Sequence, residues 1–246
     1  MQSFKLIDKK HNPSLGFNAE RYELDEYGSE HIHLKNDSKE IVFMVMFRTI
    51  PESSSGVAHI LEHTTLCGSE NYKVRDPFFM MLRRSMSTFM NAFTASDWTA
   101  YPFATQNKKD FFNLLDVYLD AVYFPILAEE DFKQEGHRIE FSKYDKSNSP
   151  LEYKGVVFNE MKGSMSNIQS ITWQALTKSL FPDLTYRHNS GGDPETILEL
   201  THDYLKGFHE KFYHPSNATY FTGGDIDAKE IQKFINSKIE KKFQKV

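Results

Sequence analysis

The chain has 246 residues, 39% of them hydrophobic, so it can bury a core as one large domain or two small ones. Its 29 basic and 34 acidic side chains give a formal net charge of -5, which argues against nucleic acid as a partner. No uninterrupted apolar run is long enough to span a bilayer, so we expect no membrane partner.

Cys67 is the only cysteine, which excludes intrachain disulfides and a cysteine-based structural zinc site. We interpret it as a small buried packing residue rather than a nucleophile. The opening stretch "MQSFKLIDKKHNPS" has neither the apolar centre of a secretory signal nor the composition of a transit peptide. We therefore expect an intracellular, cytoplasmic protein, with the mitochondrial matrix, after removal of a leader, as the alternative.

The first half of the chain begins with two alternating runs. Residues 21–36 alternate around Tyr27 and Gly28, which predicts a β-hairpin. The continuous apolar run 40–50 predicts a buried central strand, and the flexible 51–56 leads from it into a helix.

A second helix is predicted over 76–87, with Pro77 in its first turn and Asp76 as its cap. Residues 88–106 are rich in aromatic and β-branched residues and predict one or two strands. Residues 108–124 have helical apolar spacing and stop at a proline.

The second half is mostly helical in pattern. The predicted elements are a helical continuation over 128–145 that breaks at 146–150, helical structure over 156–181, a loop at 190–194, a helix over 194–212, a strand at 218–224 and an amphipathic helix over 227–243. Long helices mixed with strands that do not strictly alternate with them predict an α+β fold, a two-layer sandwich of helices on a largely antiparallel mixed sheet.

The stretch "GVAHILEHTTLCGS" (56–69) carries the chemistry. On a helix, His59 and His63 lie four residues apart on one face, the geometry of two ligands of one tetrahedral zinc. Glu62 lies beside that face and can act as a general base on water at an open position, with a third protein ligand from elsewhere. The order H-x-x-E-H is that of the inverzincins. The alternative is a chance cluster on an exposed helix, but the apolar neighbours predict a packed one.

Two other patterns have simpler interpretations. His31 and His33 alternate on the predicted hairpin, and a solvated strand face is favoured over a surface metal pair. Gly191 and Gly192 lack the strand and Lys/Ser signature of a phosphate loop, so we predict a turn.

The block from Gly56 to Pro125 closely resembles the pitrilysin/insulinase family of metallopeptidases, in particular its presequence-protease and falcilysin branch. The later segments "EYKGVVFNEMKGSMS" (152–166), "SGGDP" (190–194) and "YHPSNATYF" (213–221) are similar to that branch in the same order. The resemblance implies one zinc ion per chain, held by His59, His63 and Glu160, with Glu62 as the catalytic base.

The resemblance also implies substrate contacts. The residues matching the apolar pocket for the substrate side chain before the cut bond are Leu66, Phe78, Phe79 and Leu82, and those matching the strand edge that receives the peptide are Asn91, Ala92 and Phe93. Binding an extended peptide as an added strand engages its backbone, so many sequences are accepted. The expected substrates are short unstructured peptides.

The resemblance has one departure and one limit. Other branches carry a further glutamate seven residues before the third ligand; here that position is Tyr153, and Glu152 would point elsewhere, so no supporting carboxylate is assigned. Family members are much longer, with four similar domains, and their C-terminal half helps to bind substrate. We therefore expect residues 1–246 to be a single catalytic domain, the N-terminal fragment of a longer protease, that binds zinc but cleaves poorly alone. The alternatives are a non-catalytic peptide-binding or assembly domain and a small-molecule hydrolase.

Overall fold

The computed structural model describes residues 4–24, 26–240 and 243. The strands are β1 Phe4–Asn12, β2 Phe17–Leu24, β3 Ser29–Lys35, β4 Ile41–Arg48, β5 Ser87–Met90, β6 Phe93–Thr94, β7 Trp98–Thr105, β8 Arg138–Phe141, β9 Leu151–Lys154 and β10 Ala218–Gly224. The helices are α1 Val57–Thr65, α2 Pro77–Arg84, α3 Lys108–Tyr123, α4 Glu129–Glu135, α5 Val156–Ser164, α6 Ile168–Leu180, α7 Pro194–Ile197, α8 His202–Phe212 and α9 Ala228–Ile239. Two short 3-10 helices are Thr185–Arg187 and Pro215–Asn217.

One large sheet organises the molecule. Its strand order is β1-β2-β3-β10-β4-β7-β5, and β6 also pairs with β7. Within the described residues the pairing of β10 with β3 is parallel, and the other pairs of this sheet are antiparallel. Strand β10 therefore lies between two strands that are neighbours in sequence, and it completes the centre of the sheet.

The core lies between the sheet and the helices. Along β4, Phe43, Val45 and Phe47 are fully buried, while the alternating Val42 is 41% exposed. This period of two places one face of the strand against the helices. Helix α3 contributes Phe111, with the other buried residues of the helix, to the same core cluster. The expected α+β fold with a largely antiparallel mixed sheet is confirmed.

Several local predictions are also confirmed. Strands β2 and β3 form the hairpin predicted at 21–36, and β4 is the predicted central strand. Helix α3 occupies the segment predicted at 108–124, and Asn107 caps it by accepting a hydrogen bond from the Asp110 amide at 3.0 Å. Residues 88–106 hold β5, β6 and β7, one strand more than the pattern predicted.

The helical continuation over 128–145 is wrong in its second part. Helix α4 ends at Glu135, and β8 then pairs with β9 across the polar segment 146–150. Gly136 ends the helix where a Cβ would approach the carbonyl oxygen of Phe132 at 2.8 Å. The alternating half-buried and exposed residues of β8 mark a two-residue period, which the helical interpretation missed.

Longer helical segments are divided in the structure. The segment 156–181 breaks after Ser164, where the Asn167 side chain accepts from the Gln169 amide and starts α6. The segment 194–212 forms α7 and α8, and Thr201 caps the second of them. Helix α9 occupies residues 228–239 of the segment predicted at 227–243, and residues 241 and 242 lie outside the described residues.

Helix α2 is shorter than the predicted 76–87, because it ends at Arg84 and Ser87 begins β5, and its cap also differs from the prediction. Pro77 is its first residue, as predicted. Asp76 has φ 55 and its side chain makes no capping hydrogen bond, so it is a left-handed entry residue rather than a side-chain cap.

The prediction of a solvated face for His31 and His33 is wrong. Both residues are fully buried. His31 Nε2 lies 2.7 Å from Thr222 Oγ1 on β10, and His33 Nδ1 lies 2.7 Å from the same oxygen. Gln232 of α9 donates from Nε2 to His31 Nδ1 at 3.0 Å. His31 therefore donates to Thr222, whose hydroxyl donates to His33, and both rings are held neutral. Burial lowers the pKa of both histidines, that of His31 to about 3.

Candidate metal centre

Helix α1 presents its histidines on one face. It begins at Val57 after Gly56, which has φ 69, and its apolar residues Ile60 and Leu61 are fully buried. The rings of His59 and His63 lie on the other side with centroids 5.0 Å apart and planes inclined by 77°. The spacing of four residues thus brings two imidazoles together, as expected.

The outer nitrogen of each ring has a hydrogen-bond partner. His59 Nδ1 lies 3.0 Å from the carbonyl oxygen of Gly191, and His63 Nδ1 lies 3.1 Å from Glu135 Oε2. Both partners are acceptors, so each Nδ1 carries the proton and each Nε2 keeps a free lone pair. Such bonds fix the tautomer and the orientation of a ring that binds a metal.

Glu160 comes to the same place from helix α5. Its Oε2 lies 3.7 Å from His59 Nε2, and ligand atoms of His59, His63 and Glu160 all lie within 4.8 Å of one another. The carboxylate is 55% exposed, so it can turn towards an ion. Two imidazoles and one carboxylate could hold a divalent metal.

Glu62 lies beside this group and is nearly buried, with 9% of its surface exposed. Its Oε2 accepts a hydrogen bond of 2.6 Å from Thr94 Oγ1 on β6. Burial raises the pKa of the Glu62 carboxyl, and the Thr94 bond and the two histidines offset only part of that rise. The arrangement gives a carboxylate with increased affinity for a proton.

The hydrogen bond from His63 to the carboxylate of Glu135 is charge-assisted. Burial lowers the pKa of His63, but the hydrogen bond to Glu135 and the nearby carboxylates outweigh it, and the pKa is raised. Burial raises the pKa of Glu135, but the bonds from His63 and Gln134 outweigh it, and the pKa is lowered. Glu135 is therefore an ionised carboxylate that orients His63.

These groups open into a cleft of about 370 Å³. Its lining residues are His59, Glu62, His63, Asn91, Ala92, Phe93, Thr94, Glu160 and Gly191. The predicted peptide edge, Asn91 to Phe93, is thus brought to the histidines. Asn91 and Ala92 lie between β5 and β6, and Phe93 begins β6; both strands pair with β7 at one edge of the sheet.

The four predicted pocket residues are not part of this cleft lining. Leu66 follows α1, and it and Phe78 are partly buried against the core. Phe79 and Leu82 on α2 are 58% and 48% exposed. Phe79 and Leu82 form an accessible apolar surface on α2, the helix that follows α1.

Three contacts at the site were not predicted from the sequence: Glu135 on His63, Thr94 on Glu62 and Gly191 on His59. Glu135 ends helix α4, 72 positions after His63. No pattern near Glu135 in the sequence indicates this contact, and the position at which other branches of the family carry a supporting carboxylate is Tyr153, on the β8–β9 hairpin. The predicted turn at Gly191 and Gly192 is present, with a role in holding α1.

The described helices include none with the length and apolar character that crossing a bilayer requires.

A helix-borne H-x-x-E-H group facing a carboxylate, on a mixed sheet covered by helices, is typical of metallopeptidases with the inverted zinc motif. The family model described as Insulinase (Peptidase family M16) matches residues 48–170, and that described as Peptidase M16 inactive domain matches residues 199–246. The chain belongs to the insulinase family, peptidase family M16.

Similar proteins include the mitochondrial presequence proteases of Danio rerio, 52% identical over 233 residues, and Mus musculus, 52% identical over 234. That of Gibberella zeae is 45% identical over 249 aligned residues. The alignments cover 95% of this chain for the Danio and Mus proteins and 100% for the Gibberella protein. This chain spans only 23%, 23% and 24% of the length of those three proteins, in the same order.

Two solved structures have the same fold. A protease from Helicobacter pylori has a TM-score of 0.72 at 17% identity, covering 98% of this chain and 51% of that one. Pitrilysin has a TM-score of 0.72 at 17% identity, and the match covers 97% of this chain and 25% of pitrilysin.

Proposed function

We propose that this chain is the N-terminal catalytic domain of a zinc-dependent endopeptidase that degrades short unstructured peptides. The observation that carries the proposal is the convergence of His59, His63 and Glu160 from two helices, with ligand atoms within 4.8 Å. Glu62 lines the same cleft and is not one of the three. The similarity to presequence proteases supports a peptidase function.

The three side chains fit a zinc ion. Because Gly191 and Glu135 occupy both Nδ1 atoms, the Nε2 atoms of His59 and His63 are the available ligands. Two imidazoles and a carboxylate leave a coordination position open, as in catalytic rather than structural zinc sites. A zinc ion bound there would supply Lewis-acid chemistry, polarising the peptide carbonyl and making water easier to deprotonate.

Glu62 is the proposed general base. Its carboxylate takes a proton from the attacking water, a C–O bond forms, the peptide C–N bond breaks, and Glu62 passes the proton to the leaving amine. The burial that raises the pKa of Glu62 suits a group that must take and return a proton near neutral pH.

The substrate backbone is proposed to add to the edge at Asn91, Ala92 and Phe93. These residues lie in the cleft beside Glu62, and the strands that flank them pair with β7. An added strand is recognised through main-chain hydrogen bonds, which selects unfolded peptides over folded proteins. The apolar side-chain pocket is assigned to Leu66, Phe78, Phe79 and Leu82.

The chain spans about a quarter of the relatives' length. We therefore propose that the remainder of a longer polypeptide, its C-terminal half above all, completes the substrate chamber. Residues 1–246 alone would bind zinc and cleave poorly. The relatives are named as mitochondrial proteins, which favours the mitochondrial alternative and gives no support to the cytoplasmic expectation.

The test compares this chain with the full-length polypeptide that contains it, each as wild type, Glu62→Gln and Glu230→Gln. Glu230 is a matched control because it is an exposed glutamate paired with Lys108, away from the site. We expect about one zinc per chain in every form. Hydrolysis of an unstructured peptide should occur in the full-length wild type and control and be lost in Glu62→Gln.

Either of two results would overturn the proposal. Full-length Glu62→Gln that cleaves as fast as wild type would remove the assigned base. Full-length protein that binds peptide, with or without zinc, but cleaves none would favour a non-catalytic peptide-binding domain of the same fold.

A further inference from the structure

The hydroxyl of Thr94 donates to the carboxylate of Glu62 across a distance of 2.6 Å. We propose that Thr94 is a positioning residue that holds the general base in its working orientation. The inference rests on the proposed function and adds a residue to it.

The backbone around Thr94 is rigid. On β6, Phe93 pairs with Ala100 and Thr94 with Thr99 of β7. The amide of Ala95 donates to the carbonyl of Trp98 at 2.8 Å, which closes a tight turn directly after Thr94. The hydroxyl of the fully buried Thr99 is in turn bonded to that of Thr49 at 2.7 Å. Thr94 thus presents its hydroxyl from a fixed strand, and Glu62 comes from a helix.

The bond distinguishes the two oxygens of Glu62. Oε2 accepts the Thr94 hydrogen, so Oε1 is the oxygen left to take the proton of water. The terminal torsion of a glutamate is broad and nearly two-fold, so an unrestrained carboxylate samples many orientations. A hydrogen bond from a hydroxyl to a carboxylate is among the stronger ones and restricts this rotation.

The proposed peptide edge is the segment that leads directly into Thr94. Asn91, Ala92 and Phe93 immediately precede Thr94 and line the same cleft. A peptide that adds to this edge therefore lies directly beside the residue that orients the base. Thr94 links substrate placement to the chemical step, and its loss should affect turnover more than binding.

The test uses the full-length polypeptide with Thr94→Val, which keeps the β-branched shape but removes the donor, and Thr94→Ser, which restores a hydroxyl. Thr88→Val is the matched control, because Thr88 on β5 also donates its hydroxyl to a carboxylate, that of Glu40, away from the cleft. For Thr94→Val we expect kcat to fall about tenfold or more, with KM within about twofold and zinc content unchanged. Thr94→Ser should recover most of the loss, and Thr88→Val should match wild type.

A crystal structure of Thr94→Val adds a readout independent of activity, and the Glu62 carboxylate should be turned or spread over several orientations. Thr94→Val combined with Glu62→Gln should be no slower than Glu62→Gln alone. Wild-type kcat in Thr94→Val with an inactive Glu62→Gln would overturn this inference alone, as would a failure of Thr94→Ser to recover. An active Glu62→Gln would instead overturn the proposed function. If Thr94→Val does not fold, Thr94→Ala is measured in the same way.

Discussion

His63 Nδ1 lies 3.1 Å from Glu135 Oε2, although the two residues are 72 positions apart in the chain. The contact joins helix α1 to the end of α4, and Gln134 donates to the other oxygen of Glu135 at 3.0 Å. The carboxylate is therefore held on both sides, and it can fix the His63 ring before any ion is present.

Replacing Glu135 with Ala should weaken zinc binding by about 10- to 100-fold, because His63 loses the partner that fixes its tautomer and orientation. The zinc affinity of Glu135→Gln should lie between those of wild type and Glu135→Ala, since the amide oxygen can still accept a hydrogen bond from His63 Nδ1. Zinc affinity is measured on this chain by competition with a chelator. Glu129→Ala is the control, because Glu129 lies on the same helix in an exposed pair with Lys133. Equal affinities for Glu135→Ala and the control would contradict the assigned role.

Gly56→Ala should destabilise the fold by about 1–3 kcal/mol. Gly56 has φ 69, and a Cβ there would meet the Gly191 oxygen at 2.9 Å and the Gly192 Cα at 3.0 Å. The turn that carries the acceptor of His59 would be displaced, so zinc affinity should fall as well. Denaturant unfolding and the chelator titration test both effects.

Gly207→Ala serves as its control. Gly207 lies within α8, where a Cβ would meet nothing within 4 Å, so the change should raise the free energy of unfolding by up to about 1 kcal/mol. Equal effects at the two glycines would show that crowding at the turn is unimportant.

The buried histidine pair predicts a loss of stability in acid. The pKa of His31 is lowered by burial to about 3, so the unfolded chain takes up a proton that the folded chain refuses. The stability that the neutral His31 ring contributes is fully present above the ordinary histidine pKa, and it is lost progressively as the pH falls from there towards 3. Below about pH 6, His31→Gln should lower the slope of unfolding free energy against pH by about 1.4 kcal/mol per pH unit.

Urea unfolding at several pH values between 4.5 and 7 measures this slope. His11→Gln is a control, because His11 is exposed on β1. A slope unchanged by His31→Gln would show that the ring is protonated in the folded state.

Phe79→Ala should leave the unfolding midpoint nearly unchanged, because 58% of Phe79 is exposed. If Phe79 belongs to the substrate pocket, the full-length variant should lose kcat/KM towards peptides with a large apolar residue before the cut bond, and lose little towards peptides with a small one. Leu15→Ala is the control, because Leu15 is 70% exposed and lies between β1 and β2, far along the sheet from α2. It should leave kcat/KM unchanged for both kinds of peptide. Parallel losses for both peptides would contradict the pocket assignment.

The sequence predicted what lies within one helical turn and missed what arrives from elsewhere. His59, Glu62 and His63 follow from spacing on a single helix. Glu160 was assigned through the family resemblance, because no pattern in the residues around it indicates that it lies next to α1. Glu135 was missed because the β8–β9 hairpin lies between it and Glu160, so the expected offset led to Tyr153.

The fold shows the same division. Alternation placed His31 and His33 on one face of a strand correctly, but could not show that β10 and α9 cover that face. Which face is buried depends on segments almost 200 residues away. The short-range patterns of β4 and α3 needed no such information, because each carries its own buried residues.

The central position of β10 has a consequence for biogenesis. His33 and Thr222, bonded across β3 and β10, are 189 positions apart, and β4, which leads into α1, takes β10 as its other neighbour. During synthesis the histidine helix leaves the ribosome long before the strand that completes the sheet beneath it. Such distant pairing slows folding. We therefore expect a nascent chain to hold His59, Glu62 and His63 beside an incomplete sheet until β10 has emerged.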